Sequence, residues 1–250
     1  MSLRGIIGRT GGKSKLKDKI RRMIPKHTTY IEPFVGGGSV FFSAPADPNI
    51  KEVINDKDKE IAKIYLDVKN ISDPIIDLPT INKEQFNALK NKTSYSSTKD
   101  RLRRNLLLSL YSFRSDRRNY APSKIKYGAI SQDKNYQKYK DRLKNTRILS
   151  QDYKSVIKKY DNPNAFIYLD PPYSTASATK DYNDNDIKIE DIITVLKGVK
   201  GKFILSYDNN PTAKKLARES GFKVMTVQTL YNDGTGGTKK IKKELIIRNY

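Results

Sequence analysis

The chain has 250 residues, 36% of them hydrophobic, and sets 49 Lys+Arg against 27 Asp+Glu, for a formal net charge of +22. That length suits one domain, or one domain with a sizeable insertion, and can bury a core. The lack of cysteine excludes a disulfide framework, a cysteine–histidine zinc site and a cysteine nucleophile, and a Ser-His-Asp triad would rest on His27 alone.

In chain order, Gly8 to Lys15 reads GRTGGKSK. It is not a P-loop, because counting back from Gly12-Lys13 puts Ile7 where that motif needs its first glycine. It is a glycine-rich turn ahead of an amphipathic helix (Leu16, Ile20, Met23, Ile24) stopped by Pro25. Thr28 to Ile31 is a strand pattern running into Glu32-Pro33-Phe34-Val35-Gly36-Gly37-Gly38-Ser39. A strand, a glycine turn and a short helix make a nucleotide-binding arrangement. Glu32 would repel a pyrophosphate and suits a cationic group such as a sulfonium or an ammonium. Lys51 to Asn55 is a second strand, and Asp56 lies 20 residues beyond Gly36, the interval at which Rossmann-like folds place an acid on ribose hydroxyls. The alternative role for Asp56 is to cap a helix over Asp58 to Val68.

The α/β rhythm lapses from Asn70 to Ala121. Asn82 and Gln85 have capping-box spacing for a short helix, and Asp100 to Phe113 is a helix with a basic face of Arg101, Arg103 and Arg104. Between Lys99 and Arg147 there are 15 basic and 4 acidic residues, half the net charge in a fifth of the chain. Such a concentration predicts a polyanionic partner, since neutralising phosphates releases counterions. The alternative is a solvated lysine-rich surface. The loop Arg114 to Tyr127 interleaves Arg114, Arg117, Arg118, Lys124 and Lys126 with Asn119 and Tyr120, a mixture suited to phosphates and base edges.

The rhythm returns with a strand at Arg147 to Ser150, ending at Gln151-Asp152-Tyr153, and a buried strand, Ala165 to Leu169, that leads into Asp170-Pro171-Pro172-Tyr173. Ligands in open α/β sheets bind at such carboxyl ends. Both prolines lack an N–H and stiffen the turn, so it offers acceptors without competing donors. A carboxylate, a rigid carbonyl and a flat ring together fit an amino group on a planar heterocycle. Asp170 and the Pro171 carbonyl would each take one N–H of the amine and hold its lone pair toward a methyl donor. Tyr173 would stack on the ring of a base taken out of a duplex. Beyond it come a polar loop (Ser174 to Asn185), a helix (Ile189 to Val199), a strand (Lys202 to Tyr207), a helix from Asn210-Pro211, and two strands (Val224 to Leu230, Glu244 to Arg248) that form an antiparallel hairpin.

These motifs, in this order, resemble the D12 class (Dam-like, α group) of adenine-N6 DNA methyltransferases over nearly the whole length. Glu32-Pro33-Phe34 with Gly36 and Gly38 is similar to that family's methyl-donor loop, Asp170-Pro171-Pro172-Tyr173 to its catalytic tetrad, and Gly11-Gly12-Lys13 to its N-terminal motif lining the donor pocket. Arg9 stands where the family usually has an aromatic residue. The resemblance implies that Asp56 holds the donor's ribose, and that Asp152 and Tyr153 lie near its adenine. It also implies S-adenosylmethionine as cofactor, double-stranded DNA as partner, a paired restriction endonuclease as a further partner in some settings, and no metal.

The expected fold is α/β, a Rossmann-like seven-stranded methyltransferase sheet with a C-terminal antiparallel hairpin. Residues 1–69 and 147–250 would form the catalytic domain, and 70–146 an inserted, mainly helical, basic target-recognition domain. Cytosine-N4 or RNA adenine methylation, and a catalytically silent nucleic-acid-binding protein, are the rival readings. No apolar run approaches the ~20 residues of a membrane span, and no signal-peptide core stands at the N-terminus, so a soluble intracellular protein is expected.

Overall fold

A computed structural model of the chain describes residues 3–8, 13, 16–112, 117–121, 134–172, 187–231 and 240–250. Its strands are β1 (Thr29–Glu32), β2 (Lys51–Asn55), β3 (Arg147–Leu149), β4 (Ala165–Leu169), β5 (Lys202–Asp208), β6 (Lys223–Tyr231) and β7 (Lys240–Arg248). They form one sheet in the order β3-β2-β1-β4-β5-β7-β6. β1 pairs in parallel with β2 and β4, and β4 with β5, while β7 runs antiparallel to β5 and β6. The sheet is therefore the mixed seven-stranded one expected from the sequence, with its antiparallel hairpin at the edge. Every residue of β1 and β4 is buried, which is why β4 reads as an unbroken apolar run rather than an alternating one.

The strand order turns back between β1 and β4. From β1 the chain moves outward through β2 to β3, and from β4 it moves the other way to β5. This is the topological switch point of an open α/β sheet, the place in the strand order at which such folds bind ligands. Thr29 is in register with both Lys51 and Ala165, so β1, β2 and β4 end nearly level.

Two compact units divide the chain. One comprises Met23–Phe34, Asn49–Asn55 and Gln151–Tyr250. It holds six of the strands with helices α6 (Tyr153–Tyr160), α7 (Ile189–Lys197) and α8 (Pro211–Glu219). α8 starts as the sequence indicates, with the Asn210 side chain accepting from Thr212 and Ala213 N–H and Pro211 in the first turn.

The other unit comprises Met1–Arg22, Val35–Pro48 and Asp56–Ser150. It contains α1 (Lys17–Met23, up to its last residue), α2 (Lys59–Asn70), α3 (Lys83–Asn91), α4 (Thr98–Leu110) and α5 (Gln137–Leu143), with β3 near its end. α3 carries the full capping box of Asn82 and Gln85. Ile81, Phe86, Leu107, Leu108 and Tyr111 form a core between α3 and α4. Phe42 stacks on Tyr65 and meets Tyr139 edge-on.

Several local expectations are corrected. The element after the glycine turn is a single 3₁₀ turn, Phe41–Ser43, because Ala44, Pro45 and Pro48 leave no room for longer growth. Helices α5 and α6 were not anticipated. Both are short, and α6 shows its buried face through Tyr153, Val156, Ile157 and Tyr160. The basic face assigned to α4 is largely bonded back onto the protein: Arg101 grips the buried Asp67 with two hydrogen bonds of 2.9 and 2.5 Å and Arg104 donates to Leu89 O and Lys90 O, while the exposed Arg103 donates to Asp77 O at the surface. Arg142 is likewise buried, donating to Ala44 O and lying 3.9 Å over the Phe41 ring. Arg101, Arg104 and Arg142, three of the arginines behind the local charge excess, thus satisfy carbonyls and a carboxylate within the unit. Residue type counts charge but not the direction in which a long side chain is laid.

Candidate active site

Asp170 follows directly on β4, whose five residues are all buried, so its position is set by the centre of the sheet. Pro171 is buried and Pro172 half-buried. Beneath them Tyr168 points to the same face as Asp170, two residues on. Its hydroxyl lies 3.0 Å from Ser206 Oγ on β5. Burial raises the Tyr168 hydroxyl well above its usual range, and the nearby Asp170 and Glu32 carboxylates push the same way. Tyr168 is thus a neutral, hydrogen-bonded floor under the carboxylate. Tyr173 and the polar loop after it lie outside the described residues.

Glu32 ends β1, next to β4 in the sheet. It is buried and accepts a 2.6 Å hydrogen bond from Tyr30 Oη. Burial first, then Glu32, raises the Tyr30 hydroxyl well above its usual range, so it stays a donor to that carboxylate. Past Glu32, the Pro33 carbonyl accepts from the Asn55 side chain at 2.9 Å. The same amide donates to Gln151 O at 3.0 Å and accepts from Gln151 N at 2.8 Å. Asn55, 1% exposed, therefore ties the loop after β1 to the loop after β3. Sequence reasoning did not single it out. The available signal was a lone amide closing the apolar end of KEVIN.

The Phe34 and Tyr153 rings meet at 5.2 Å. Asp152 is exposed, and its Oδ1 accepts from Lys154 N as the cap of α6. Tyr153 is 6% exposed, and its hydroxyl has no partner among the described residues. Burial, then Asp191 and Asp152, pushes that hydroxyl up to about 12. A buried hydroxyl left open costs free energy unless something else bonds it.

In the other unit, Gly36 and Gly38 both take positive φ, 49° and 74°. A Cβ on Gly38 would fall 2.6 Å from Tyr65 Oη and 2.9 Å from the Phe42 ring, so only glycine fits. Gly36 N–H donates to Asp56 Oδ2 at 3.0 Å, and Gly36 O accepts from Tyr65 Oη at 2.9 Å. The other Asp56 oxygen accepts from Asp58 N. Asp58, not Asp56, caps α2 by accepting from Glu60 N. The expectation of a helix cap at Asp56 is corrected accordingly: its carboxylate braces the glycine turn instead. Residues 5–7 lie against this turn, with Ile6 N donating to Gly37 O at 3.0 Å. Lys13 is buried, whereas Arg9, Gly11 and Gly12 lie outside the described residues.

Of the residues assigned to the basic loop, Arg114, Lys124 and Lys126 lie outside the described set. Arg117 is ion-paired with Asp58, its side chain 15% exposed. Arg118 is half-buried and Asn119 exposed. Tyr120 packs on Tyr111 and Phe86 and donates to Ile81 O.

The model of the D12 class N6 adenine-specific DNA methyltransferases matches residues 10–232. The chain belongs to this family. Among curated relatives, it is 26% identical over 281 residues to the Type II methyltransferase M1.LlaDCHI of Lactococcus lactis subsp. cremoris, covering 100% of this chain and 96% of that one. It is 27% identical over 290 residues to the Type II methyltransferase M.MjaIII of Methanocaldococcus jannaschii, covering all of both. It is 29% identical to the DNA adenine methylase of Serratia marcescens over 72% of each.

As a D12-class methyltransferase, the chain is an enzyme that methylates adenine N6 in DNA. In the unit that holds β1 and β4, Glu32, Phe34, Asp152 and Tyr153 are acidic or aromatic. That chemistry fits a nucleoside carrying a positive centre, and the open hydroxyl of the buried Tyr153 fits a polar atom of such a group. No helix among the described residues is long and apolar enough to cross a membrane.

Proposed function

We propose that this methyltransferase uses S-adenosylmethionine as methyl donor and holds the target adenine at Asp170, Pro171, Pro172 and Tyr173. The observation that carries this reading is the Asp-Pro-Pro turn at the carboxyl end of β4, next to the Glu32 end of β1 at the sheet's switch point. When bound, the donor supplies a methyl group on a sulfonium.

The chain's own residues do the rest. Asp170 Oδ and the Pro171 carbonyl accept the two N–H groups of the adenine amine. This directs the nitrogen lone pair at the methyl carbon. No strong base is needed first, since the amine attacks before it loses a proton, and Asp170 stands next to that proton as it leaves. Catalysis comes mainly from positioning. Tyr173 stacks on the flipped base.

On the donor side, Glu32 faces the positive end, Asp56 accepts the ribose hydroxyls, and Phe34, Asp152 and Tyr153 meet the adenine. Pro33 sets the direction of that loop, and Gly36 and Gly38 let its backbone approach closely. Arg9, Gly11, Gly12 and Lys13 are further donor-binding residues of this reading. Residues 70–146 serve as the target-recognition domain on double-stranded DNA. Arg114, Arg118, Asn119, Lys124 and Lys126 meet its phosphates and base edges, while Arg117 and Tyr120 hold their loop in shape. A paired restriction endonuclease fits the Type II names of two relatives.

The test is incubation of the protein with labelled S-adenosylmethionine and mixed-sequence duplex DNA, followed by digestion to nucleosides and mass analysis. N6-methyladenine that disappears in Asp170→Ala supports the assignment, and sequencing the product maps the site. Methylation that survives in Asp170→Ala overturns it.

A further inference from the structure

We propose that Arg117 is a positioning residue that couples the DNA-contacting segment to the methyl-donor pocket, through Asp58 at the start of α2. This rests on the reading above, in which Asp56 holds the donor and the loop around Arg117 meets DNA.

By sequence Arg117 is a phosphate contact. In the structure its guanidinium is turned inward instead, with Nη2 donating to Asp58 Oδ2. Its backbone takes φ 62°, a left-handed conformation that costs a non-glycine residue about 1 kcal/mol or more. The Ser112 hydroxyl accepts its N–H at 2.8 Å and holds it there. The rest of the segment is fastened to the end of α4: Ala121 N donates to Tyr111 O at 2.8 Å, and the Tyr120 and Tyr111 rings lie parallel. Residues 117–121 thus form a small arch whose strain is spent on aiming one guanidinium at α2.

What it reaches is the start of a continuous series of bonds. Asp58 has two carboxylate oxygens with separate tasks. Oδ1 caps α2 by accepting from Glu60 N at 2.9 Å, and Oδ2 takes Arg117. The Asp58 N–H donates to Asp56 Oδ1 at 3.0 Å, and Asp56 Oδ2 accepts from Gly36 N at 3.0 Å. Arg117, Asp58, Asp56 and Gly36 are therefore joined in sequence, from the loop next to Arg118 and Asn119 to the glycine turn. A pair kept for stability alone would satisfy its donors, because a buried guanidinium with open N–H groups is costly. Arg117 Nη1 is buried and has no partner among the described residues. The arrangement suits a latch whose setting changes when the arch shifts. DNA bound at Arg118 and Asn119 fixes the arch, the arch fixes Asp58, and Asp58 fixes the Asp56 carboxylate for the ribose. By linkage the donor must tighten DNA binding by the same factor.

The experiment measures the dissociation constant of S-adenosylhomocysteine by calorimetry, with and without a duplex carrying the methylation site mapped above. The proteins are the wild type, Arg117→Ala, Arg117→Lys, Asp58→Asn and the Arg117→Ala/Asp58→Asn double variant. Asparagine is as good a cap as aspartate, so Asp58→Asn keeps the helix start and removes the ion pair. The wild type is expected to bind S-adenosylhomocysteine about 5-fold or more tighter with DNA present, within the usual range of coupling. That ratio should fall toward one in both single alanine and asparagine variants, with no further loss in the double, while the salt slope of DNA binding stays unchanged. Arg117→Lys keeps the charge in a well-folded protein and should recover part of the ratio. Coupling retained in Arg117→Ala and Asp58→Asn overturns the latch, as does a wild type that binds the two ligands independently. A salt slope reduced by about one in Arg117→Ala makes it a phosphate contact and overturns the latch as well. Failure of the underlying donor reading looks different: there Asp56→Asn leaves S-adenosylhomocysteine affinity untouched.

Discussion

The Asp56 carboxylate accepts the backbone N–H of Gly36 at 3.0 Å across 20 residues of chain. One bond thereby joins the glycine turn that follows β1 in the chain to the residue that follows β2. It places an acceptor next to a glycine backbone that a ligand can approach closely. Asp56→Asn is isosteric but removes the charge and leaves one oxygen to accept from two backbone donors, Asp58 N–H and Gly36 N–H. Donor affinity should fall about tenfold, near 1.4 kcal/mol, in line with the loss of a charge-assisted hydrogen bond. Calorimetric titration with S-adenosylhomocysteine checks this.

Asp170 has a different expected signature. It stands on a fully buried strand and contributes no apolar area to the core. Asp170→Ala should abolish methylation and leave donor affinity within about twofold, since its partner is the amine and not the donor. Loss of donor binding in that variant, read in the same titration, would mean the role is wrong.

Asn55 makes three bonds to main-chain atoms of Pro33 and Gln151 while 1% exposed. Asn55→Leu keeps the branched shape but leaves those buried groups without partners, at a cost of about 2–4 kcal/mol. Urea unfolding should show the loss. Because the two loops it ties lead into Phe34 and Tyr153, donor affinity should drop in the fraction that remains folded.

Tyr30, Tyr153 and Tyr168 all have hydroxyls raised above the usual 10.0, mainly by burial. The folded state then holds these protons more tightly than the unfolded chain does. Their contribution is complete below about pH 10 and is lost as pH rises toward the folded values, which for Tyr153 is about 12. Stability measured by urea should be flat to about pH 9 and fall beyond about pH 10. Tyr153→Phe removes a hydroxyl with no partner among the described residues and should make that decline shallower at little cost near neutrality.

Arg118 is half-buried beside the exposed Asn119. If it contacts a phosphate, Arg118→Ala should weaken DNA binding about uniformly across sequences and reduce the salt slope by about 0.9. Fluorescence anisotropy over a salt series gives the slope. Arg117→Ala should leave it unchanged, which separates the two neighbours.

The sequence by itself settled what depends on local spacing. The apolar run at Ala165–Leu169 declared a buried strand because buried parallel strands are apolar on both faces. Asn82 and Gln85, and Asn210-Pro211, marked helix starts because capping is satisfied within four residues. Tertiary structure alone decided where long side chains point. Arg101, Arg104, Arg117 and Arg142 all counted toward a basic surface, yet each reaches an acceptor brought near by a different element. Asn55 looked like an ordinary strand end until the fold set Pro33 and Gln151 on either side of it. A guanidinium or an amide has the same chemistry in any sequence, and its role follows from which partners, tens of residues away, the folded chain sets within hydrogen-bond reach.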